Sequence, residues 1–329
     1  SGPADQDPAP ADAHHAVQAE ILASRAALSA PAALDVLAER LALSAFERDT
    51  LLACAGLELD GSLAAAYEAD GTTALCFARL MTSLPSAHWT ALTPTAPLRR
   101  YGLITLGVGR GLMHAPLRIE ERVLHYLTGV QFIEPRLRGI LCPVPPPPAL
   151  PPSQRLLAEQ IARRLQQPDH PAPAVTYFCG EHLPTLLEIV AQAVDSVAKT
   201  LFKLHSEDIP DHGDERASLA RLCERECVLH GAVLAIVSSP FAEEQRRQTA
   251  QQFYAGNETP TLVLTREAPR ESDAKVVWLR DKTPPLQEQR LLAGIAHPHV
   301  LDVGPHGQRH IPRQRPRCGR PGQQVLVGT

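Results

Sequence analysis

The turn Cys179-Gly180-Glu181-His182-Leu183-Pro184-Thr185-Leu186-Leu187 is where phosphate chemistry would sit, because it joins the apolar stretch Val175 to Cys179 to the helical stretch Pro184 to Ala198. Backbone amides at the start of such a helix hold phosphates, and the lysine and hydroxyl of Gly-x4-Gly-Lys-Ser/Thr complete the cradle. Setting Gly180 on the first glycine of that pattern puts Thr185 at the second glycine, Leu186 at the lysine and Leu187 at the magnesium-binding hydroxyl. Glu181 adds negative charge where phosphate would lie. A second position agrees. Carboxylates at the end of the third strand should hold magnesium and orient water, yet Ala232 to Val237 runs into Ser238 and Ser239. Nucleotide hydrolysis is therefore not expected. No catalytic, cofactor-binding or metal-binding residue is assigned. Gly180, Thr185, Leu186 and Leu187 stand as a degenerate phosphate loop, Ser238 and Ser239 as a degenerate acidic position, and Ser239-Pro240 reads as the cap of the next helix.

Other reactive side chains have plainer readings. Cys223, Cys227 and His230 share a helical spacing, but without a second ligand pair the cysteines read as small core hydrophobes. Cys179 has no assignable base, and strand packing explains it. Arg99, Arg100 and Arg110 flank or tip a hairpin and could touch phosphate. Residues 1 to 142 nevertheless hold 11 Arg, no Lys and 15 acids, a net charge of -4, whereas readers of nucleic acid concentrate positive charge. Arg266 and Arg270, after the fourth strand, could serve a neighbour's nucleotide in trans, with a solvated loop as the preferred role.

The elements that must position these residues fall into two units. In the first, over 17–141, apolar spacing predicts helices at Val17 to Leu28 and Leu34 to Leu41. Ser44 and Glu47 form a capping box for a helix ending at Gly56. Short helices follow near Thr73 to Thr82 and Pro85 to Ala91. Strands at Gly102 to Leu106 and Leu112 to Pro116 flank the loop Gly107 to Gly111, before a helix from Ile119 to Leu127. Helices followed by a hairpin make a winged-helix order. Residues 142–152 hold a run, Pro143 to Pro152, in which seven of ten residues are proline, predicting a semi-rigid spacer. The second unit, 153–295, alternates helix and strand, with Ser153 as its first cap. Strands at Val175 to Cys179, Thr200 to Leu204, Ala232 to Val237, Thr261 to Leu264 and Lys275 to Leu279 predict a five-stranded parallel sheet covered on both faces. Helices are expected at Pro184 to Ala198, at Arg216 to His230 and from Ser239 to near Gly256. Residues 1–16 read as a disordered lead and 296–329 as a disordered basic tail. The fold class is thus α/β multidomain, a mainly helical winged-helix domain followed by a P-loop-like α/β domain.

Composition bounds the function. The 329 residues carry a net charge of -4, and residues 303 to 329 hold five Arg and no acid, so the body is more acidic still. No apolar run approaches a transmembrane span, seven scattered Cys suit a reducing compartment, and the expected location is cytoplasmic.

Three segments, Leu43 to Gly56 (LSAFERDTLLACAG), Ala87 to Pro94 (AHWTALTP) and Ala115 to Leu127 (APLRIEERVLHYL), resemble the N-terminal winged-helix region of bacterial AAA+ ATPases, including those encoded with contractile injection systems. Residues 153 to 295 resemble the degenerate AAA-like unit of that family through Leu219-Ala220-Arg221-Leu222-Cys223-Glu224-Arg225-Glu226. The resemblance implies a truncated, non-catalytic N-terminal portion that docks or assembles in ATP-driven protein remodelling. Its partners would be an AAA+ ring or a contractile injection assembly. ATP and Mg belong only to an absent downstream ATPase module, since Walker A and Walker B are not intact here and the chain is expected to be inactive alone. The expectation is against both membrane and nucleic acid. The rival reading is a winged-helix nucleic-acid-binding regulator with an accessory α/β domain.

Overall fold

The computed structural model describes residues 10–69, 74–109, 111–166, 175–238, 244–255, 257, 259–266 and 275–278. The chain divides into two compact units between Phe132 and Ile133.

The first unit opens with α1 (Pro10–Ala26), α2 (Ala33–Arg40), α3 (Ala45–Leu59), α4 (Gly61–Ala69), α5 (Phe77–Ser83) and α6 (Pro97–Arg100). Helix α1 begins at Pro10, inside the expected disordered lead. The capping box of α3 is present: Glu47 N donates to Ser44 Oγ at 3.1 Å, and Ser44 N donates to Glu47 Oε2 at 2.9 Å. Gly56 does not end the helix. A Cβ there would meet Leu63 Cδ2 at 3.1 Å, so the glycine permits close approach of α4. Phe46 and Phe77 cross edge to face at 5.7 Å in the core, with His88 and Trp89 completing the aromatic row.

The hairpin pairs β1 (Ile104–Leu106) with β2 (Leu117–Ile119), antiparallel with Thr105 opposite Arg118. A bridge between Cys76 and Pro116 adds a rung. The second hairpin strand therefore lies beyond the expected Leu112 to Pro116, where Leu112–His114 forms a 3-10 turn instead. Helix α7 (Glu121–Leu127) starts two residues later than expected, capped by Glu120, whose carboxylate accepts from Arg122 N and Val123 N.

In the second unit β3 (Cys142–Val144), β4 (Val175–Cys179), β5 (Thr200–His205), β6 (Ala232–Val237), β7 (Thr261–Thr265) and β8 (Lys275–Trp278) form one sheet in the order β3-β5-β6-β7-β4-β8. The last five strands in the chain are mutually parallel, as expected. The sixth was not anticipated. β3 runs antiparallel on β5, with Pro143 opposite Phe202. The segment expected as a free spacer therefore belongs to the α/β unit, and Leu137, Leu141 and Leu150 around it are buried in that unit's cores.

The helices follow from the handedness of parallel crossovers. The connection from β4 must skip two strands to reach β5, and it carries α9 (Leu183–Ser196) over one face, beside α8 (Pro152–Gln166). The connections from β5 to β6 and from β6 to β7 run the other way, so α10 (Gly213–His230) and α11 (Glu244–Tyr254) cover the opposite face. Alternate residues of each strand serve the two layers: Phe178, Leu201, Val233 and Leu262 face α8 and α9, while Tyr177, Phe202, Leu234 and Val263 face α10 and α11. Gly231, left-handed at φ +60°, ends α10 and feeds β6.

Candidate functional site

In an open parallel sheet a ligand sits beyond the carboxyl ends of the strands, where neighbouring connections leave in opposite directions. Here that switch lies at β4, whose neighbours β7 and β8 are the fourth and fifth parallel strands. Dinucleotide-binding and flavodoxin-like orders both place the first strand beside the second. This sheet follows neither.

At that switch the turn is three residues long: β4 ends at Cys179 and α9 starts at Leu183. Gly180 N donates to Thr265 O at 3.1 Å, pinning the turn to β7. His182 caps α9, its Nδ1 accepting from Thr185 N at 3.3 Å and lying 2.7 Å from Thr185 Oγ1. Pro184 has no N–H, and Leu186 N already bonds the His182 carbonyl. Of the amides that would face a phosphate, one is missing by sequence and two are engaged within the chain. Leu186, at the lysine position, is buried in the core beneath α9, Leu187 is half-buried, and Thr185 lies in the first helical turn rather than in a loop. Glu181 is exposed above them. The arrangement is a helix start with part of its donor set removed or already engaged.

Ser238 follows β6 and donates its N–H to Leu264 O at 2.9 Å, so the degenerate acidic position is tied to β7. Ser239 lies outside the described residues, as do Arg110, Arg270 and the expected tail at 296–329. Arg266 is exposed just after β7. Cys223 and Cys227 pack into the core between α10 and the sheet. Burial pushes the Cys223 thiol up to about 12, with nearby carboxylates adding to it. His230 meets the edge of Phe202 at 5.3 Å and Glu226 at 3.3 Å. Among the described residues no group of three His, Cys, Asp or Glu side chains is placed to hold a metal ion.

Two charged clusters were not foreseen. Arg225 donates to Glu134 at 2.7 Å, and Arg136 donates to the other carboxylate oxygen at 2.8 Å. Burial acts to raise the Glu134 carboxyl, but the Arg136 hydrogen bond and charge, with Arg225, hold it below the usual carboxylate range. A shallow polar groove of about 360 Å³ lies where β5 and β6 deliver the chain to α10 and α11, and Asp211, Arg216, Thr249 and Gln252 are among its lining residues. Its charges are spoken for. Arg216 bonds Gln252 and the Asp211 carbonyl, each at 2.7 Å, and the Asp211 carboxylate accepts from Arg246 at 3.2 Å and Thr249 at 3.3 Å.

The hairpin of the first unit carries a different kind of surface. Val108 at its tip is fully exposed and Leu112 is about one-third exposed. Gly109 admits no side chain, since a Cβ would lie 2.7 Å from Ala115 Cα and 2.8 Å from His114 O. Arg99 is not offered to solvent as a free cation. It donates to the Leu92 carbonyl at 2.9 Å, and Arg100 lies over the Tyr101 ring at 5.5 Å.

Residues 3–140 match the family model described as winged helix domain, variant. The N-terminal unit is a winged helix domain. Its hairpin is the wing and α7 the helix that follows it. The match begins at residue 3, so residues expected as a disordered lead fall within the domain. No curated protein matches the chain. No helix among the described residues is long and apolar enough to cross a membrane.

Proposed function

We propose that the chain is a non-hydrolysing docking and assembly unit of an AAA+ ATPase system, in which the winged helix domain binds protein and the α/β domain is a nucleotide-free relative of the ATPase fold. The observation that carries this reading is the closed turn after β4. The strand order directs a nucleotide's phosphates to that turn, yet Pro184 removes one donor from the start of α9 and His182 occupies the Thr185 amide. The wing supports the protein-binding half of the reading. Among its described residues the tip presents Val108, and Arg99 and Arg100 are engaged with their own domain. A contractile injection machine is the assembly that the family resemblance suggests, and the cytoplasm is the matching location.

Isothermal calorimetry of the full chain with Mg-ATP tests the first half, with no heat of binding expected. A lysine's charge-assisted contact to phosphate contributes roughly 1.5 to 3 kcal/mol, and no such residue stands in the turn. Micromolar, magnesium-dependent binding would overturn the reading. Titration of the chain with duplex DNA at about 50 and 200 mM salt tests the second half. Submicromolar, salt-sensitive binding with no co-purifying ATPase would promote the nucleic-acid regulator instead.

A further inference from the structure

Helix α1 leaves an apolar seam in solvent. Leu22, 64% exposed, flanks a seam of Val17, Ile21 and Leu28, which are 54%, 48% and 52% exposed, and backbone bonds from Ala27 N to Ala23 O and from Leu28 N to Arg25 O carry the winding past the helix end to Leu28. With Ser24, the seam residues recur at spacings of four, three and four. That spacing is the a/d pattern of a coiled coil, with Val17 and Ser24 at d and Ile21 and Leu28 at a. A seam of this kind is closed by another helix of the same pattern.

The flanking charges name the occupant. Glu20 falls at g and Arg25 at the e position of the next heptad. In a parallel pair each g faces the partner's e five residues on, so Glu20 of each chain meets Arg25 of the other, twice per pair. In an antiparallel pair closing the same seam, g faces g and e faces e, which sets Glu20 opposite Ala27 and leaves its charge unpaired. Arg25 is held in the chain by Asp35, but Asp35 also accepts from Arg48 at 3.1 Å, so it keeps a partner when Arg25 turns to a second chain. We propose that α1 joins two copies of this protein through a short parallel coiled coil, with Val17, Ile21, Ser24 and Leu28 as its seam and reciprocal Glu20 to Arg25 pairs fixing its direction. This interface goes beyond the docking reading and does not depend on it.

About two heptads bury a small area, so the association belongs to the weak class and is to be read across roughly 1 to 300 μM. Sedimentation equilibrium of the full chain is the measurement. The expected result is a concentration-dependent rise from 35.7 kDa toward twice that mass. Ile21→Asp should abolish the rise while far-UV circular dichroism and the thermal midpoint of the body stay unchanged. Glu20→Arg and Arg25→Glu should each weaken association by about tenfold, and the double variant should recover it. A monomer throughout the range, or an Ile21→Asp variant that associates like wild type, overturns the proposal. A double variant no tighter than the single ones overturns the parallel pairing.

Discussion

Replacing Arg225 by Met should destabilise the α/β domain far more than neutralising one of its exposed charges. The Arg225 and Glu134 side chains are 2% and 6% exposed, and the substitution leaves a buried carboxylate with one remaining partner, Arg136, whose own side chain is 59% exposed. Removing one member of a buried pair costs about 3–5 kcal/mol. The surviving Arg136 bond places the loss near the lower end. With a urea slope of about 2–3 kcal/mol per molar for a domain of this size, that is a midpoint shift of about 1 M or more. The chain has two tryptophans, so a Trp89→Phe background leaves Trp278, in β8, as the reporter of the α/β domain. Glu134→Gln combined with Arg225→Met removes both charges and should recover most of the loss, because replacing a buried pair entirely is often near neutral. The sign of the pH dependence follows from the lowered Glu134 carboxyl. A depressed folded-state pKa gives stability that is present above the unfolded value, about 4.3, and is lost as pH falls through the folded one. The gap between wild type and Glu134→Gln should therefore hold from about pH 7.5 to 5.5 and close only below about pH 4. A midpoint shift under about 0.3 M for Arg225→Met, or a double variant as unstable as the single, would refute the reasoning.

Gly109→Ala should lower the thermal midpoint of the winged helix domain, at a cost of about 1–3 kcal/mol, because the new methyl meets the backbone of His114 and Ala115; Trp89 fluorescence follows it. His182→Ala should cost the α/β domain about 0.5–2 kcal/mol as the cap of α9 is lost, read by urea unfolding, with no gain of ATP binding by calorimetry. In a Cys318→Ser background, Ellman's reagent at about pH 8 should react quickly with Cys76 and Cys142 and slowly with buried Cys54, Cys179, Cys223 and Cys227 until the chain unfolds, since burial holds those four thiols protonated.

The parallel strands were legible because they are short, largely apolar runs set between helical stretches, most plainly Ala232 to Val237 with its buried centre, and the ends of β4 and β6 fall where the sequence puts them. Their order was not legible, since crossovers that skip strands leave no local mark. β3 was hidden by its length of three residues and by Pro143, which reads as a breaker. The second wing strand did carry a signal. Leu117, Arg118 and Ile119 alternate buried, exposed, buried, a period of two that the stronger apolar cluster at Leu112 and Met113 outweighed. At the candidate site the missing lysine and carboxylates were visible in the residue types, but His182 as a plug needed the helix start to be fixed at Leu183. The Glu134 cluster also escaped, though five consecutive buried residues, Cys223 to Cys227, mark the end of α10 as enclosed all round.

The strand at the rim of the sheet decides what the domain can do in a crowd. An edge strand offers its unpaired amides and carbonyls to any extended chain and so invites sheet-to-sheet growth. In this protein the rim beyond β5 is filled by Cys142–Val144, and the residues that continue it, 145–148, are all proline. Proline has no N–H to give, so a newcomer would find acceptors without donors there. The proline run, which looks in sequence like a tether, is therefore a stopper that keeps a strongly apolar sheet from templating its own aggregation on that side.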